Sequence, residues 1–345
     1  MDKKRILVFT ENYLPSVGGL ENNTVLLCST LTKLGYLVTL LTPQKQALES
    51  LEYAVIESKN YNQYFHYIKA NDLVIVNGGI AFKVIIPSLI LNRPYLVIYQ
   101  MASLFKQIHF NSLKIKLTNW IRKWLAKKAR LNIAVSHYSY QELKHNFGEK
   151  KSQILINPAN PIFNNNEPKE QNKLNFDCLF AGRLIEGKGI RLLIKAIEIL
   201  RLEKLPFNLH IIGEGPEEEY IKKKLHLGFI FLHAPTDPKE LSIWYQSSDL
   251  TIIPSTSHIE GSPLVMAESL TMGTPVLVSS QPAMAASVNH ESLIFKNCDL
   301  EDLTYKLNAL LEKKVYDEVV KQTLILAQNY TYDNYLIQLQ KIIRV

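Results

Sequence analysis

The sequence predicts an α/β protein made of two doubly wound parallel-sheet units. Short apolar runs rich in Val, Ile, Leu and Tyr alternate with longer amphipathic stretches, which is typical of parallel strands joined by helical crossovers. This pattern runs through the first half of the chain and then starts again. The length of 345 residues suits two such units, since a domain averages roughly 150 residues.

Five apolar runs in the first half have the length and composition of buried strands. They cover residues 5–10, 37–41, 73–76, 95–99 and 131–135. Together with the helices between them, they predict a first Rossmann-like domain at about 1–160. We expect a C-terminal helix at 331–345 to return to this domain.

The second half repeats the pattern and predicts a second Rossmann-like domain at about 161–330. Its strands are expected at 176–180, 207–212, 229–232, 250–253 and 275–278, with helices near 189–204, 216–225, 238–247 and 263–272. Asn and Pro crowd the stretch 157–175, which favours turns and predicts a linker. Because ligands of such folds bind at the carboxyl ends of strands, we expect the functional site in a central cleft between the domains.

Composition excludes several classes of protein. Hydrophobic residues make up 47% and charged residues 21%, so a disordered chain is excluded. The three cysteines are far apart and form no Cys-x-x-Cys, so we expect no disulfide framework and no zinc knuckle. This use of cysteine fits a cytoplasmic location. The nine histidines show no metal-ligand spacing, so no metal site is expected.

Positive charge is concentrated in the first domain. Residues 1–160 carry 20 Lys and Arg against 9 Asp and Glu, and the remainder has a net charge of −4. No acidic residue lies between Asp72 and Glu142, where Trp120 and Trp124 belong to an apolar stripe at helical spacing. We expect the stripe to pack on the sheet. The excess of cations and the tryptophans predict peripheral contact with an anionic membrane surface, at the inner face of the cell membrane, or with a lipid-diphosphate acceptor.

The segment 254–276 has the signals of a strand end, a loop, a helix and a helix stop. Ser262 suits the N-cap position, Pro263 the first helical position and Gly273 the position just beyond the last turn. These signals predict a helix that begins abruptly after a loop at the carboxyl edge of the second sheet.

Four residues around this helix start have the chemistry of an anion and sugar site. The amides of Leu264 and Val265 would be unpaired at the helix N-terminus, where the dipole favours an anion such as phosphate. Glu268 follows on the same helix face and could accept hydrogen bonds from ribose hydroxyls. Glu260 lies in the loop just before the helix. The spacing therefore predicts a site for a phosphorylated sugar compound.

Three glycine-containing loops follow other predicted strands. The first contains Gly182 and Arg183 and continues to Lys188, the second contains Gly18 and Gly19, and the third begins at Gly213. Glycines allow a close approach of backbone to a ligand, although a tight turn alone also explains them. None of the loops has the Gly-x-Gly-x-x-Gly spacing of a dinucleotide site, which disfavours an NAD dehydrogenase.

These segments resemble the signatures of the GT-B-fold retaining glycosyltransferases of family 4, within the glycosyl transferases group 1. The resemblance rests on the Glu-x7-Glu pair of Glu260 and Glu268 followed by Gly-Thr-Pro-Val, on Gly-Arg-Leu with Lys-Gly at 182–189, on Gly-Gly-x-Glu at 18–21 and on Gly-x-Gly-Pro at 213–216. It covers nearly the whole chain and is strongest at 176–278. It implies two Rossmann-like domains that face a central cleft.

The resemblance also implies roles for individual residues. Glu268 would hold the donor ribose and Glu260 would lie near the transferred sugar. Arg183 and Lys188 would stabilise the leaving phosphate in place of a metal ion, since the chain has no Asp-x-Asp. The remaining donor-binding residues would be Gly261, Ser262, Pro263, Leu264, Val265, Gly213, Gly18 and Gly19.

The implied function is metal-independent retaining transfer of a sugar from a UDP- or GDP-linked donor, without a further cofactor. The acceptor would be a growing cell-surface polysaccharide or a lipid-linked glycan. A nucleotide-sugar 2-epimerase and a catalytically silent nucleotide-sugar-binding protein remain alternatives. Nucleic acid is not an expected partner, because no binding module of that kind occurs in the sequence.

Two segments depart from the family pattern. Family members carry a His after the fourth strand of the first domain, whereas this chain has Gln100 in that stretch. A Gly-Gly-x-Pro-Glu segment is replaced by the sequence beginning at Gln281. Both departures fall where the family places the transferred sugar, so the identity of that sugar stays open.

Overall fold

The computed structural model describes residues 3–13, 19–44, 52–100, 113–165 and 174–344. The chain divides into two compact units, which we call unit 1 (Met1–Ile156 with Leu336–Val345) and unit 2 (Asn157–Tyr335). Each unit contains one parallel β-sheet with helices. This architecture confirms the predicted pair of Rossmann-like, doubly wound units.

Unit 1 contains a seven-stranded sheet in the order β3-β2-β1-β4-β5-β6-β7 among its described residues. The strands are β1 (Arg5–Phe9), β2 (Leu37–Thr42), β3 (Ala54–Glu57), β4 (Leu73–Asn77), β5 (Tyr95–Tyr99), β6 (Leu131–Ala134) and β7 (Ser152–Ile154). The helices are α1 (Gly19–Lys33), α2 (Tyr61–Ala70), α3 (Phe82–Ile90), α4 (Leu113–Lys128) and α5 (His137–Phe147).

Unit 2 contains a six-stranded sheet in the order β10-β9-β8-β11-β12-β13, again among described residues. The strands are β8 (Phe176–Ala181), β9 (Phe207–Ile212), β10 (Ile230–His233), β11 (Leu250–Ile253), β12 (Val276–Ser279) and β13 (Ile294–Phe295). The helices are α6 (Ile190–Leu202), α7 (Glu218–Lys222), α8 (Pro238–Ser247), α9 (Leu264–Thr271), α10 (Pro282–Val288), α11 (Leu300–Ala309), α12 (Lys313–Ala327) and α13 (Tyr332–Arg344). The last helix begins in unit 2, and its residues from Leu336 onward belong to unit 1.

All ten predicted strands are present, and the three that the sequence analysis missed are β3, β7 and β13. Each of the three lies at the edge of its sheet. An edge strand is covered on fewer sides than a central one, so its sequence carries a weaker apolar signal. In contrast, all five residues of the central strand β4 are buried.

The strand order reverses between β1 and β4 in unit 1 and between β8 and β11 in unit 2. In a parallel sheet, the loops that follow two neighbouring strands leave the same edge. The loops after β8 and β11 therefore start side by side, although about 70 residues separate them in the sequence. They contain most of the predicted site residues.

The stretch 157–175 was predicted to be a linker, but its described residues belong to unit 2 and pack on it. The Ala159 amide donates to the Tyr330 carbonyl at 2.9 Å, and the Asn165 amide donates to the Thr271 carbonyl at 3.1 Å. The ring of Phe163 is buried against Tyr245. Asn and Pro favour turns, but turns can still pack against a domain surface.

Candidate functional site

Helix α9 begins one residue later than the sequence predicts. Leu264 is its first residue, and Pro263 is the N-cap with an extended backbone (φ −66°, ψ 129°). The predicted N-cap, Ser262, is therefore wrong, and no side chain caps the helix. Instead the Pro263 carbonyl accepts hydrogen bonds from the amides of Met266 and Ala267. The helix start is left without a side-chain acceptor.

The first two amides of α9 have no acceptor in the part of the chain that the structure describes. These are the amides of Leu264 and Val265, whose residues are both partly exposed. The preceding loop residues Gly261 and Ser262 are also partly exposed. An accessible helix start with unpaired N–H groups attracts an anion, because the helix dipole adds to the hydrogen-bonding capacity of the amides.

The other end of α9 follows the sequence prediction. Gly273 has a φ of 72° and lies just beyond the last turn. Its amide donates to the Leu270 carbonyl at 3.0 Å, and the Thr274 amide donates to the Ser269 carbonyl at 2.9 Å. This is the Schellman arrangement, in which a left-handed residue lets two amides bond back into the helix.

Glu268 lies one turn beyond the start of α9 and contacts a tyrosine from α8. The hydroxyl of Tyr245 donates to Glu268 Oε2 at 2.9 Å, and Tyr245 is completely buried. Burial raises the pKa of the Glu268 carboxyl to about 7, while the hydrogen bond from Tyr245 opposes that rise. Glu268 is thus a carboxyl group with a raised pKa, one turn from the start of α9.

Glu260 is buried and forms an ion pair with Lys188. Its side chain is 8% exposed and that of Lys188 is 18% exposed, and Lys188 Nζ donates to Glu260 Oε1. The Ser255 hydroxyl donates to the same oxygen at 2.9 Å. From the sequence we expected separate roles for Glu260 and Lys188, whereas the structure joins them in one ion pair.

Backbone contacts hold the loop after β8 against the loop after β11. The Gly187 carbonyl accepts hydrogen bonds from the amides of Thr256 at 2.9 Å and His258 at 3.1 Å. Gly189 has a φ of 75°, and a Cβ atom there would lie 1.9 Å from the Pro254 carbonyl oxygen. Glycine is therefore required at position 189, and the contact places Lys188 beside Glu260.

Gln281 organises the loop that precedes α9. Its Nε2 atom donates to the carbonyls of Ser255 and His258, both at 2.9 Å, and to that of Thr256 at 3.2 Å. Its Oε1 atom accepts the Glu260 amide at 3.1 Å. The side chain thus fixes the backbone on which Glu260 sits. The sequence analysis noted this residue only as a departure from the family pattern.

Arg183 is exposed and forms no ion pair within the described residues. Together with Lys188 it lies near His258, since both cations lower the pKa of His258. The largest effect on that imidazole is burial, which also lowers its pKa, and Glu260 acts in the opposite direction. Arg183 is therefore an exposed cation beside His258 and the Lys188–Glu260 ion pair.

The loop that begins at Gly213 packs on the loop after β8. Gly213 has a φ of 148°, and a Cβ atom there would lie 1.9 Å from the Gly182 carbonyl oxygen. The Leu184 amide donates to the Glu214 carbonyl at 2.8 Å, and the Glu217 amide donates to the Leu184 carbonyl at 2.9 Å. Loop packing explains this glycine, and its contact with a donor stays a prediction.

In unit 1, Gly18 lies outside the described residues, and Gly19 is the first, exposed residue of α1. Gln100 follows β5 and belongs to a network of side-chain amides. Its Nε2 atom donates to Asn23 Oδ1 at 2.8 Å and to Asn77 Oδ1 at 2.9 Å. An amide network therefore occupies the place where the family resemblance led us to look for a histidine.

The described residues contain no group of three or more His, Cys, Asp and Glu side chains that could hold a metal ion. They also contain no helix that is both long and apolar enough to span a membrane. Tyr245 and Gln281 are the site residues that sequence reasoning missed. Tyr245 reads as an ordinary apolar-face residue of its helix, and its contact with Glu268 depends on how two helices pack.

Residues 162–324 match the family model described as Glycosyl transferases group 1. The matched stretch lies within unit 2. A protein of Haemophilus influenzae, named as an uncharacterized glycosyltransferase, is 25% identical over 95% of this chain and 96% of its own length. The O-antigen biosynthesis glycosyltransferase WbnH of Escherichia coli is 24% identical over 62% of this chain and 60% of its own length.

The fold is shared with HepE from Anabaena, whose crystal structure is a complex with UDP. The two chains superpose with a TM-score of 0.78 over 99% of each chain, at 18% sequence identity. This similarity confirms the predicted GT-B fold. The stretch that matches the family model contains the helix start, the two glutamates and the two cations described above. Membership of family 4 and the retaining mechanism stay predictions.

Proposed function

We propose that this protein is a glycosyltransferase whose group 1 domain binds a nucleotide-diphosphate sugar at the start of α9. The observation that carries this proposal is the pair of amides at Leu264 and Val265, which have no acceptor among the described residues, with Glu268 one turn further along the helix. The amides suit a diphosphate, and the carboxyl group suits the hydroxyls of a ribose next to it. The UDP complex of HepE, a protein of the same fold, is consistent with a nucleotide ligand.

In this proposal Arg183 meets the negative charge that develops on the leaving phosphate. It is exposed and without an acidic partner among the described residues, so its charge is available to a ligand. Lys188 contributes positive charge from a fixed position beside Glu260. Groups fixed in this way need little reorganisation when charge develops, which is the basis of electrostatic catalysis.

Glu260 is proposed to act on the transferred sugar. The loop that carries it is held by Gln281, and its carboxylate is oriented by Lys188 and the Ser255 hydroxyl. An orienting shell of this kind limits the number of positions that the carboxylate can adopt. We propose that transfer proceeds with retention of anomeric configuration and that the departing phosphate accepts the proton of the acceptor hydroxyl.

The proposed acceptor is a cell-surface polysaccharide or a lipid-linked glycan, taken up by unit 1. The similarity to WbnH, which is named for O-antigen biosynthesis, supports this class of product. Transfer would need an acceptor, whereas a 2-epimerase would convert the donor alone. Donor binding without any turnover would instead favour the catalytically silent protein.

Thermal unfolding with a panel of UDP-, GDP- and ADP-sugars tests the binding site. A ligand present at 100 times its Kd adds about 2.7 kcal/mol to the free energy of unfolding. We expect one nucleotide class to raise the Tm and Glu268→Ala to abolish this response. The control is Glu301→Ala, an exposed glutamate of α11 in the same unit, which should respond like the wild type. An unchanged response of Glu268→Ala would contradict the proposed site.

A further inference from the structure

The outward face of α4 carries three apolar side chains between lysines. Leu117, Trp120 and Trp124 are 57%, 64% and 45% exposed. At about 100° per residue they lie on one side of the helix. Exposed lysines lie on both edges of this face, three on one edge and one on the other: Lys116, Lys123, Lys127 and Lys128. We call these seven residues the α4 face.

The opposite side of α4 is anchored in the core of unit 1. Leu125 is buried there, Ala129 is buried just after the helix, and Ile121 packs against the same core. The Tyr95 hydroxyl donates to the Leu125 carbonyl at 2.6 Å. The expectation that the whole apolar stripe packs on the sheet is therefore wrong for Leu117, Trp120 and Trp124. The core is complete without them, and the α4 face is presented on a firmly held helix.

The stretch of sequence that contains α4 carries positive side chains and no negative ones. No Asp or Glu occurs between Asp72 and Glu142, while ten Lys and Arg do. Cations on both edges of an apolar face suit a partner with dense negative charge, such as an anionic lipid surface. Tryptophan favours the headgroup region of a bilayer, and lysines beside it can reach lipid phosphates. Amphipathic helices with this composition lie in the plane of a membrane interface.

We propose that the α4 face docks on an anionic lipid bilayer, with Trp120 and Trp124 inserted among the headgroups and the lysines bound to lipid phosphates. The surface belongs to unit 1 and is independent of the nucleotide site in unit 2. A lipid-linked acceptor would be met at that bilayer, so the docking surface deepens the proposed function without depending on its donor chemistry.

Co-sedimentation of the full chain with lipid vesicles tests this proposal. We expect binding to vesicles of phosphatidylcholine with phosphatidylglycerol, and little binding to phosphatidylcholine alone. Binding should weaken as salt increases, because the Debye length falls from about 10 Å at 0.1 M to about 3 Å at 1 M. Lys116→Gln/Lys123→Gln/Lys127→Gln should weaken binding on the order of a hundredfold, at roughly fivefold per lysine.

A double tryptophan variant separates insertion from simple charge attraction. Trp120→Ala/Trp124→Ala should weaken vesicle binding at least about tenfold while leaving all lysines in place. Because both side chains are exposed, the Tm should stay close to that of the wild type. Addition of anionic vesicles should also shift the wild-type tryptophan fluorescence to shorter wavelength.

Two control variants carry the same chemical changes elsewhere. Lys313→Gln/Lys314→Gln/Lys321→Gln removes three exposed lysines of α12, and Leu202→Ala/Ile325→Ala removes two exposed apolar side chains. Both should bind vesicles like the wild type. Equal losses in these controls, full binding by the tryptophan variant, or equal binding to uncharged vesicles would overturn the proposal.

Binding of duplex RNA with the same dependence on the α4 lysines and tryptophans would overturn it too, since the face would then be a general polyanion site. The assay contains no nucleotide and no acceptor. A failure to bind vesicles would therefore not change the Tm shift that nucleotide sugars are expected to cause. In the same way, the absence of that Tm shift would not change vesicle binding.

Discussion

At the scale of single residues, Glu268 meets two opposing requirements. Its carboxyl group lies in a buried environment that favours the neutral acid, and its pKa rises to about 7 for that reason. A ribose hydroxyl donates more strongly to the ionised carboxylate. We infer that ionisation of Glu268 costs free energy in the protein without donor. A hydrogen bond from the donor ribose would reduce this cost.

The pH dependence of stability tests this interpretation through Glu268→Gln. The folded pKa lies above the unfolded value of 4.5, so the folded state binds the proton more tightly. Ionised Glu268 therefore lowers the free energy of unfolding as pH rises from about 4.5 to 7, by up to about 3 kcal/mol. Glutamine does not titrate, so the variant should gain stability relative to the wild type over that range.

Urea unfolding at about pH 5 and pH 8 measures this difference. As a control, Glu301→Gln changes an exposed carboxyl group and should shift stability little at either pH. If the free energies of unfolding of Glu268→Gln and wild type differ by the same amount at both pH values, burial does not perturb the pKa of this carboxyl group.

At the scale of elements, the site depends on two loops that share a backbone contact. The loop after β8 carries Lys188, and the loop after β11 carries Glu260. Gly187 and Gly189 let the two backbones approach, and Gln281 supports the second loop from the following strand end. Local signals in the sequence predicted the loops and their glycines. The pairing of Lys188 with Glu260 could not be read from those signals, because it depends on the order of β8 and β11 in the sheet.

Gly189→Ala tests the contact between the loops. The added Cβ atom would lie 1.9 Å from the Pro254 carbonyl oxygen, at a φ of 75° that alanine disfavours. We expect a loss of about 3 kcal/mol in the free energy of unfolding, together with a loss of activity as Lys188 and Glu260 separate. The urea midpoint and the transfer rate measure the two effects.

Gly19→Ala provides the comparison for this variant. Among the described residues, no atom lies within 4 Å of a Cβ atom placed at Gly19. Its stability should therefore change by no more than about 0.5 kcal/mol. Similar losses of stability in both variants would show that the close approach at Gly189 does not cause the loss in Gly189→Ala.

At the scale of the whole molecule, the proposed reaction draws its positive charge from side chains and amides. We expect the transfer rate to be unchanged by EDTA and the product to retain the anomeric configuration of the donor. Arg183→Ala should slow transfer by roughly a hundredfold, equivalent to about 3 kcal/mol of transition-state stabilisation. Because Arg183 is exposed, the Tm of the variant should equal that of the wild type.

Rate measurements with and without EDTA, followed by NMR of the product, check these outcomes. Lys313→Ala, at an exposed lysine of α12, is the matched loss of one positive charge and should leave the rate unchanged. Loss of activity in EDTA that Mn²⁺ restores would contradict the proposed source of charge.

Ten of the strands and the two doubly wound units could be predicted from the sequence alone. Apolar periodicity and glycine or proline turn signals are local properties of the chain, so they can be read without the fold. Edge strands such as β13 escaped because partial cover weakens that periodicity. Only the tertiary structure decided that Tyr245 contacts Glu268, that Lys188 pairs with Glu260 and that Trp124 points outward. Such contacts depend on strand order and helix packing, which bring together residues that are distant along the chain.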